Sequence, residues 1–175
     1  MIKVEDIFDC VYGSNLEFYK LKEKKNGIPF VARTSRNNGV ITKVEKLKDE
    51  KINPGHTISV SCGGSVMECF YQDKEYYSGR DLYFLKPKIN LSVKQMIIYA
   101  SILSSNKYKF SFGRQVNKSL PYIKIPSVSE IEKKIKFENK FSYDFFDEKD
   151  FDYKYSSNIN YKSVNELFYL NSGIS

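Results

Sequence analysis

Tryptophan is absent from the 175 residues, and histidine occurs once, as His56. That histidine follows Pro54-Gly55 and reads as a loop residue rather than a general base. Cys10, Cys62 and Cys69 are odd in number and lack the Cys-x-x-Cys spacing, which argues against a disulfide framework and against a zinc site. His56 and Cys62 imitate a thiol-hydrolase pair, but a strand separates them and no third group orients them. No apolar run approaches the ~18 residues needed to span a bilayer, and no charged-then-apolar leader is present. The expectation is a soluble, cytoplasmic protein. There is no Walker loop, no glycine-rich cofactor loop and no Asn/Asp-Pro-Pro-Tyr/Phe motif, so the chain is not a self-contained adenine methyltransferase. Glu132-Lys133-Lys134 offers a Glu-x-Lys fragment of a nuclease metal site. Its upstream acidic partner is missing, and it reads better as a solvated helix face.

What is abundant is aromatic and basic. Fourteen Tyr and thirteen Phe favour strands and surfaces that stack or bind, which points to a sheet-rich module. An apolar fraction of 41% and a charged fraction of 28% are ordinary for a folded domain, and the length suits one domain. Charge is uneven. From Glu138 onward seven acids face four bases, a balance of −3, so residues 1–137 carry +10 of a chain whose total is +7. A domain of +10 attracts polyanions, although a merely solvated lysine-rich surface has the same composition.

The chain also echoes itself. Val4-Glu5-Asp6-Ile7-Phe8 is followed by Gly13, and Val164-Asn165-Glu166-Leu167-Phe168 by Gly173, with the same five-residue step from Phe to Gly. Such self-similarity suggests tandem halves, of which one half and a stub are present.

Between these ends, turn signals alternate with short apolar runs. Val4 opens a strand or short helix, with Gly13-Ser14-Asn15 as its turn. Lys20–Gly27 reads as a charged loop before a strand at 28–31. Asn37-Asn38-Gly39 is a turn, because Asn and Gly tolerate positive φ. Strands are expected at 40–44, at 57–61 (half-buried, from its alternation), at 66–71 and at 83–85. Ser92 caps a helix whose Val93, Met96, Ile97, Ala100 and Leu103 form one packing stripe. Further strands are expected at 108–112 and 122–125, and Ser127 with Glu130 forms a capping box. The count gives an α+β fold, a mixed, barrel-like sheet of short strands with about two helices.

Four polar loops carry the functional signal. Arg33-Thr34-Ser35-Arg36-Asn37-Asn38-Gly39 offers bidentate donors and amides, the groups that read guanine and adenine edges. Ser61-Cys62-Gly63-Gly64-Ser65 can present backbone amides to a phosphate, and equally forms a plain tight turn. Tyr76-Tyr77-Ser78-Gly79-Arg80-Asp81 places an aromatic pair beside an arginine. The stretch from Asn106 to Lys118 interleaves Lys107, Lys109 and aromatics, then offers Arg114-Gln115-Val116-Asn117-Lys118.

The ordered set Ile28-Pro29-Phe30-Val31-Ala32-Arg33-Thr34, Asn37-Asn38-Gly39-Val40, Thr57-Ile58-Ser59-Val60, Gly63-Gly64-Ser65, Leu82-Tyr83-Phe84-Leu85-Lys86-Pro87-Lys88, Tyr108-Lys109-Phe110-Ser111-Phe112-Gly113-Arg114 and Ile123-Lys124-Ile125-Pro126 resembles one family across residues 3–127. It is similar to the target recognition domain of type I restriction–modification specificity subunits and of related type II specificity domains. The resemblance implies a recognition domain over 1–137, a linker or peripheral segment over 138–162, and the truncated start of a second repeat over 163–175. One departure stands: the family's long spacer helix should follow the first domain, and 138–160 shows no heptad pattern. A shortened chain, a truncated gene product and a type II relative with short linkers all fit.

The resemblance implies a sequence-specific DNA-binding module without catalysis, directing a methyltransferase and endonuclease to their site. Arg36, Asn37, Arg80, Arg114, Gln115 and Asn117 are the candidates for reading bases, and Arg33, Ser65, Lys107, Lys109 and Lys118 for holding phosphates. No cofactor or metal is expected in this chain. S-adenosylmethionine belongs to a partner methyltransferase subunit, an endonuclease subunit can join, and a second recognition domain or another copy can complete the reader. The competing readings are a small nuclease or thiol hydrolase, and an assembly fragment that never touches DNA.

Overall fold

Two residues of strand, β1 (Ile2–Lys3), lead into a single helical turn, α1 (Val4–Ile7), whose entry is held by the Lys3 amide donating to Asp6 Oδ2 at 2.7 Å. In order there follow β2 (Phe8–Tyr12), β3 (Glu23–Val31), β4 (Val40–Val44), β5 (Thr57–Ser61), β6 (Cys69–Gln72), β7 (Tyr77–Ser78), β8 (Leu82–Pro87), α2 (Val93–Ser104) and β9 (Lys124–Ile125). Another helix occupies 128–133. The computed structural model describes residues 1–110 and 116–133, within a unit that runs Met1–Lys134. The expected linker and second repeat lie outside the described residues.

Three sheets form among the described residues. β1 pairs with β9; β2-β8-β5-β6 make an antiparallel sheet; β4-β3-β7 make a third, in which β3 runs antiparallel to β4 and parallel to β7. The α+β class and mixed strand directions match the expectation. The barrel-like closure does not. Closing a barrel requires every strand to have two neighbours, and β2, β6, β4 and β7 each have one.

The sheets instead stack. Val31 on β3 meets Leu82 and Phe84 on β8 through Tyr76, with Val11 and Val40 packed around them. The opposite face of the three-stranded sheet buries Phe30, Val44 and Tyr77 beneath Leu16, Leu21, Leu47 and Ile52. α2 covers the other face of the four-stranded sheet. Phe8 meets the Tyr99 ring edge-on at 5.4 Å, and Ser104 Oγ accepts the Cys69 amide at 3.1 Å. Being central and covered on both faces, β5 is buried at all five positions, where alternation alone suggested a half-buried strand. Ile58 and Val60 alternate with Thr57, Ser59 and Ser61, and the polar ones find partners: Gln72 Nε2 donates to Ser59 Oγ at 3.1 Å.

Ser92 caps α2 as expected, its Oγ accepting the Gln95 amide at 3.3 Å while its own amide donates to Gln95 Oε1 at 2.7 Å. The packing stripe is rotated from the expected one. Met96, Tyr99, Ala100 and Leu103 are buried, whereas Val93 and Ile97 are half exposed. Tyr99 sets this rotation, because its hydroxyl also donates to the Pro126 carbonyl at 3.1 Å.

Candidate nucleic-acid interface

Antiparallel register brings three connections to one end of the four-stranded sheet. β2 and β5 finish there and β6 and β8 begin there, with Tyr12 opposite Tyr83, Ser61 opposite Leu82 and Val60 opposite Cys69. The turn after Tyr12, the loop 62–68 and the turn 79–81 are therefore neighbours. They are stitched by backbone: the Cys62 amide donates to Asp81 O at 2.8 Å and the Gly13 amide to Leu82 O at 2.9 Å. The Asp81 amide donates to the Tyr12 hydroxyl at 3.1 Å.

The loop leaving β3 joins this end through one ion pair. Arg33 Nη1 donates to Asp81 Oδ2 at 2.7 Å, and the Gly79 amide donates to Val31 O at 2.9 Å. Arg33 lies across Gly63 and Gly64: a Cβ on Gly63 would stand 3.0 Å from Arg33 Nη1, and one on Gly64 would stand 3.5 Å from Arg33 Cβ. Glycine at 64 also meets a backbone need, since its φ is +66°. The loop 62–68 is a tight turn in which the amides of Val66 and Glu68 donate to the Gly64 and Ser65 carbonyls and that of Met67 to Ser61 O at the end of β5. Lys107 pairs with Glu68 of this loop, and Lys109, just beyond α2, donates to Asn106 Oδ1 at 2.6 Å with its ammonium 5.5 Å from the Tyr108 ring centre.

Among the expected residues, Arg33, Ser65, Arg80 and Lys107 thus share one end of the sheet, and Lys109 adjoins it. Arg36 and Asn37 sit on the same loop as Arg33 but farther along. Three left-handed residues in succession, Asn37, Asn38 and Gly39, shape that turn, and Asn37 Nδ2 donates to Val40 O at 2.9 Å. The turn is pinned to edge strand β6, where Gln72 Nε2 donates to Asn38 O at 2.9 Å. Asn117 and Lys118 lie on the segment 116–122, which ends where Ile123 O accepts the Val4 amide at 3.0 Å, at the other end of β2. Arg114 and Gln115 fall outside the described residues.

Two expected features are corrected. Tyr76 and Tyr77 are core residues at 1% and 0% exposure, not a stacking pair: Tyr76 packs with Val31, Leu82 and Phe84, and Tyr77 with Phe30 and Val44 on the other face of the three-stranded sheet. Lys107–Phe110 is a 3-10 turn rather than the start of a strand.

The residues behind the enzyme readings hold structure. The His56 ring bonds the Tyr71 hydroxyl at 3.1 Å and the Leu91 carbonyl at 2.9 Å, so its nitrogens are engaged, and β5 separates it from Cys62. Burial pushes the Cys62 thiol up to about 12, far from a nucleophile's range. Glu132 accepts from Gln95 Nε2 at 3.2 Å. Among the described residues no group of three His, Cys, Asp or Glu can hold a metal ion, and no helix is long and apolar enough to cross a membrane.

Two depressions beside Arg80 were not anticipated. One, about 790 Å³, is lined by Asn15–Glu17, Lys20, Leu21 and residues 47–50. The other, about 260 Å³, is lined by Phe18, Tyr19, Phe30, Ile41, Arg33 and Arg80, among others. The Phe18-Tyr19 pair beside Lys20 was the available signal.

Known proteins agree with this architecture. Residues 1–135 match the family described as type I restriction modification DNA specificity domain. The specificity subunit S.BcgI of a type II restriction enzyme of Heyndrickxia coagulans is 23% identical over 114 residues, 65% of this chain and 33% of that protein. The S subunit of a type I restriction–modification system from M. genitalium superposes with a TM-score of 0.60 at 19% identity, over 81% of this chain and 37% of that one. The HsdS subunit from Thermoanaerobacter tengcongensis gives 0.58 at 15% identity, over 82% and 37%. The chain thus spans about a third of the length of these relatives. It belongs to the family of type I restriction modification DNA specificity domains.

Proposed function

We propose that this chain is a DNA target recognition module of a restriction–modification system, with no catalysis of its own. The observation that carries this reading is the convergence of three loops, bearing Arg33, Ser65 and Arg80, on one end of a rigid sheet in a chain of this family. Lysines and arginines of the +10 region neutralise phosphates and fix register, while a few side chains read base edges. Arg36 and Arg80 have no ion-pair partner among the described residues, which suits them to base reading. Arg33 and Lys107 are already paired, so their work on phosphate is weaker. Asn37 holds its own turn and contributes mainly by shaping the loop that carries Arg36. Arg114, Gln115, Asn117 and Lys118 remain proposed contacts of a second segment, and Lys109 of the 3-10 turn.

The same reading assigns partners. The module docks onto a methyltransferase subunit that supplies S-adenosylmethionine chemistry, with an endonuclease subunit as a further member, and acts in the cytoplasm where its DNA is. A second recognition domain or another copy completes a two-part target. Selection of bound duplexes from a random pool, followed by mobility shifts, tests the reading: an enriched sequence supports it, and an unenriched pool refutes it.

A further inference from the structure

Large apolar side chains exposed together on a +10 surface require an explanation, because isolated ones are ordinary and clustered ones mark contacts. Tyr19 is 77% exposed, Ile41 46% and Phe18 37%, and all three line the 260 Å³ depression with Arg33 and Arg80 at its rim. Ile41 stands on β4, whose burial alternates so that Ile41 and Lys43 face outward. The Tyr19 ring is held in place. Its hydroxyl donates to Glu17 Oε2 at 2.7 Å, and the Lys20 ammonium lies 5.5 Å from the ring centre. Glu17 is the one acid on this rim, and Lys20 offsets its charge at 2.5 Å.

An apolar hollow edged by Arg33 and Arg80 is complementary to a surface that is itself apolar within and anionic around. The major groove of duplex DNA offers this wherever a thymine C5-methyl projects between phosphate rows, and a guanidinium beside it reads an adjacent guanine. We infer that Tyr19 and Ile41 are specificity-determining residues that receive a thymine methyl, with Arg80 reading the neighbouring base. This rests on the reading of the chain as a duplex-binding module, and it adds residues outside the four loops expected from sequence.

Replacing thymines one at a time by deoxyuridine removes only the methyl. On the selected duplex, one such position lowers the affinity of the unaltered protein about fourfold, the factor carried by burying one methyl-sized group. Ile41→Ala binds the thymine and uracil duplexes equally, as does Tyr19→Ala, and both fold because these side chains are exposed. A flat deoxyuridine scan, or a selected target without thymine, overturns the inference while leaving duplex recognition intact. If Ile41→Ala weakens assembly with a partner subunit and the scan is flat, the hollow is a protein contact. If no duplex is selected at all, the underlying function fails instead.

Discussion

Arg33 and Asp81, 48 residues apart in the chain, meet through Nη1 and Oδ2 at 2.7 Å and close the loop after β3 onto the turn before β8. Both side chains are about one-third exposed, so the pair itself stabilises weakly, by ~0.2–1 kcal/mol. Its larger effect is on charge. Asp81 has a φ of 56°, which Asn tolerates, so Asp81→Asn keeps the turn and frees the guanidinium. Non-specific duplex affinity should then rise, and the slope of log affinity against log salt should steepen by about one. Fluorescence anisotropy with a scrambled duplex checks this; an unchanged slope would mean Arg33 never faces phosphate.

Backbone room decides a second outcome. Glu23 and Ile28 both stand opposite Val44, so β3 bulges between them, and a Cβ on Gly27 would lie 2.1 Å from the Val44 carbonyl oxygen. Gly27→Ala must open the β3–β4 ladder and should cost about 1–3 kcal/mol, read as a lower midpoint in urea.

His56 offers a clean separation of stability from function. Its ring joins Tyr71 to the Leu91 carbonyl, and Ala leaves that carbonyl without this donor. His56→Ala should lose about 1–3 kcal/mol of stability while the folded protein keeps its duplex affinity. A loss of any hydrolytic activity with the stability unchanged would revive the enzyme reading.

Alkaline pH probes the core. Burial pushes the Cys62 and Cys69 thiols from 9.0 to about 12. The folded state keeps protons that the unfolded state releases, so this contribution is full below pH 9 and is lost as pH climbs from 9 towards 12. The thermal midpoint should fall between pH 8 and pH 10, and Cys69→Ala should flatten part of that fall.

Much of this architecture was legible in the chain because local chemistry dictated it. Asn37-Asn38-Gly39 demanded left-handed backbone, and Ser92 marked a helix start. What escaped was tertiary. Alternation along Thr57–Ser61 cannot tell one covered face from two, and only the arrival of α2 and the second sheet buries both. Tyr76 and Tyr77 looked like a binding pair, because their burial is decided by two separate core clusters assembled from distant strands and loops. The convergence of Arg33 with Arg80 depends on the parallel pairing of β3 with β7, which sets Val31 opposite Ser78, whereas Tyr19 and Ile41 joined the site only through the fold.

The account stands most directly on affinity for a selected duplex against a scrambled one, measured from low to physiological salt. It predicts that both affinities fall steeply with salt while the selected duplex stays roughly a thousandfold tighter or more, and that Arg80→Ala narrows that ratio. Equal affinity for the two duplexes at every salt concentration, or no binding even in dilute buffer, would contradict it.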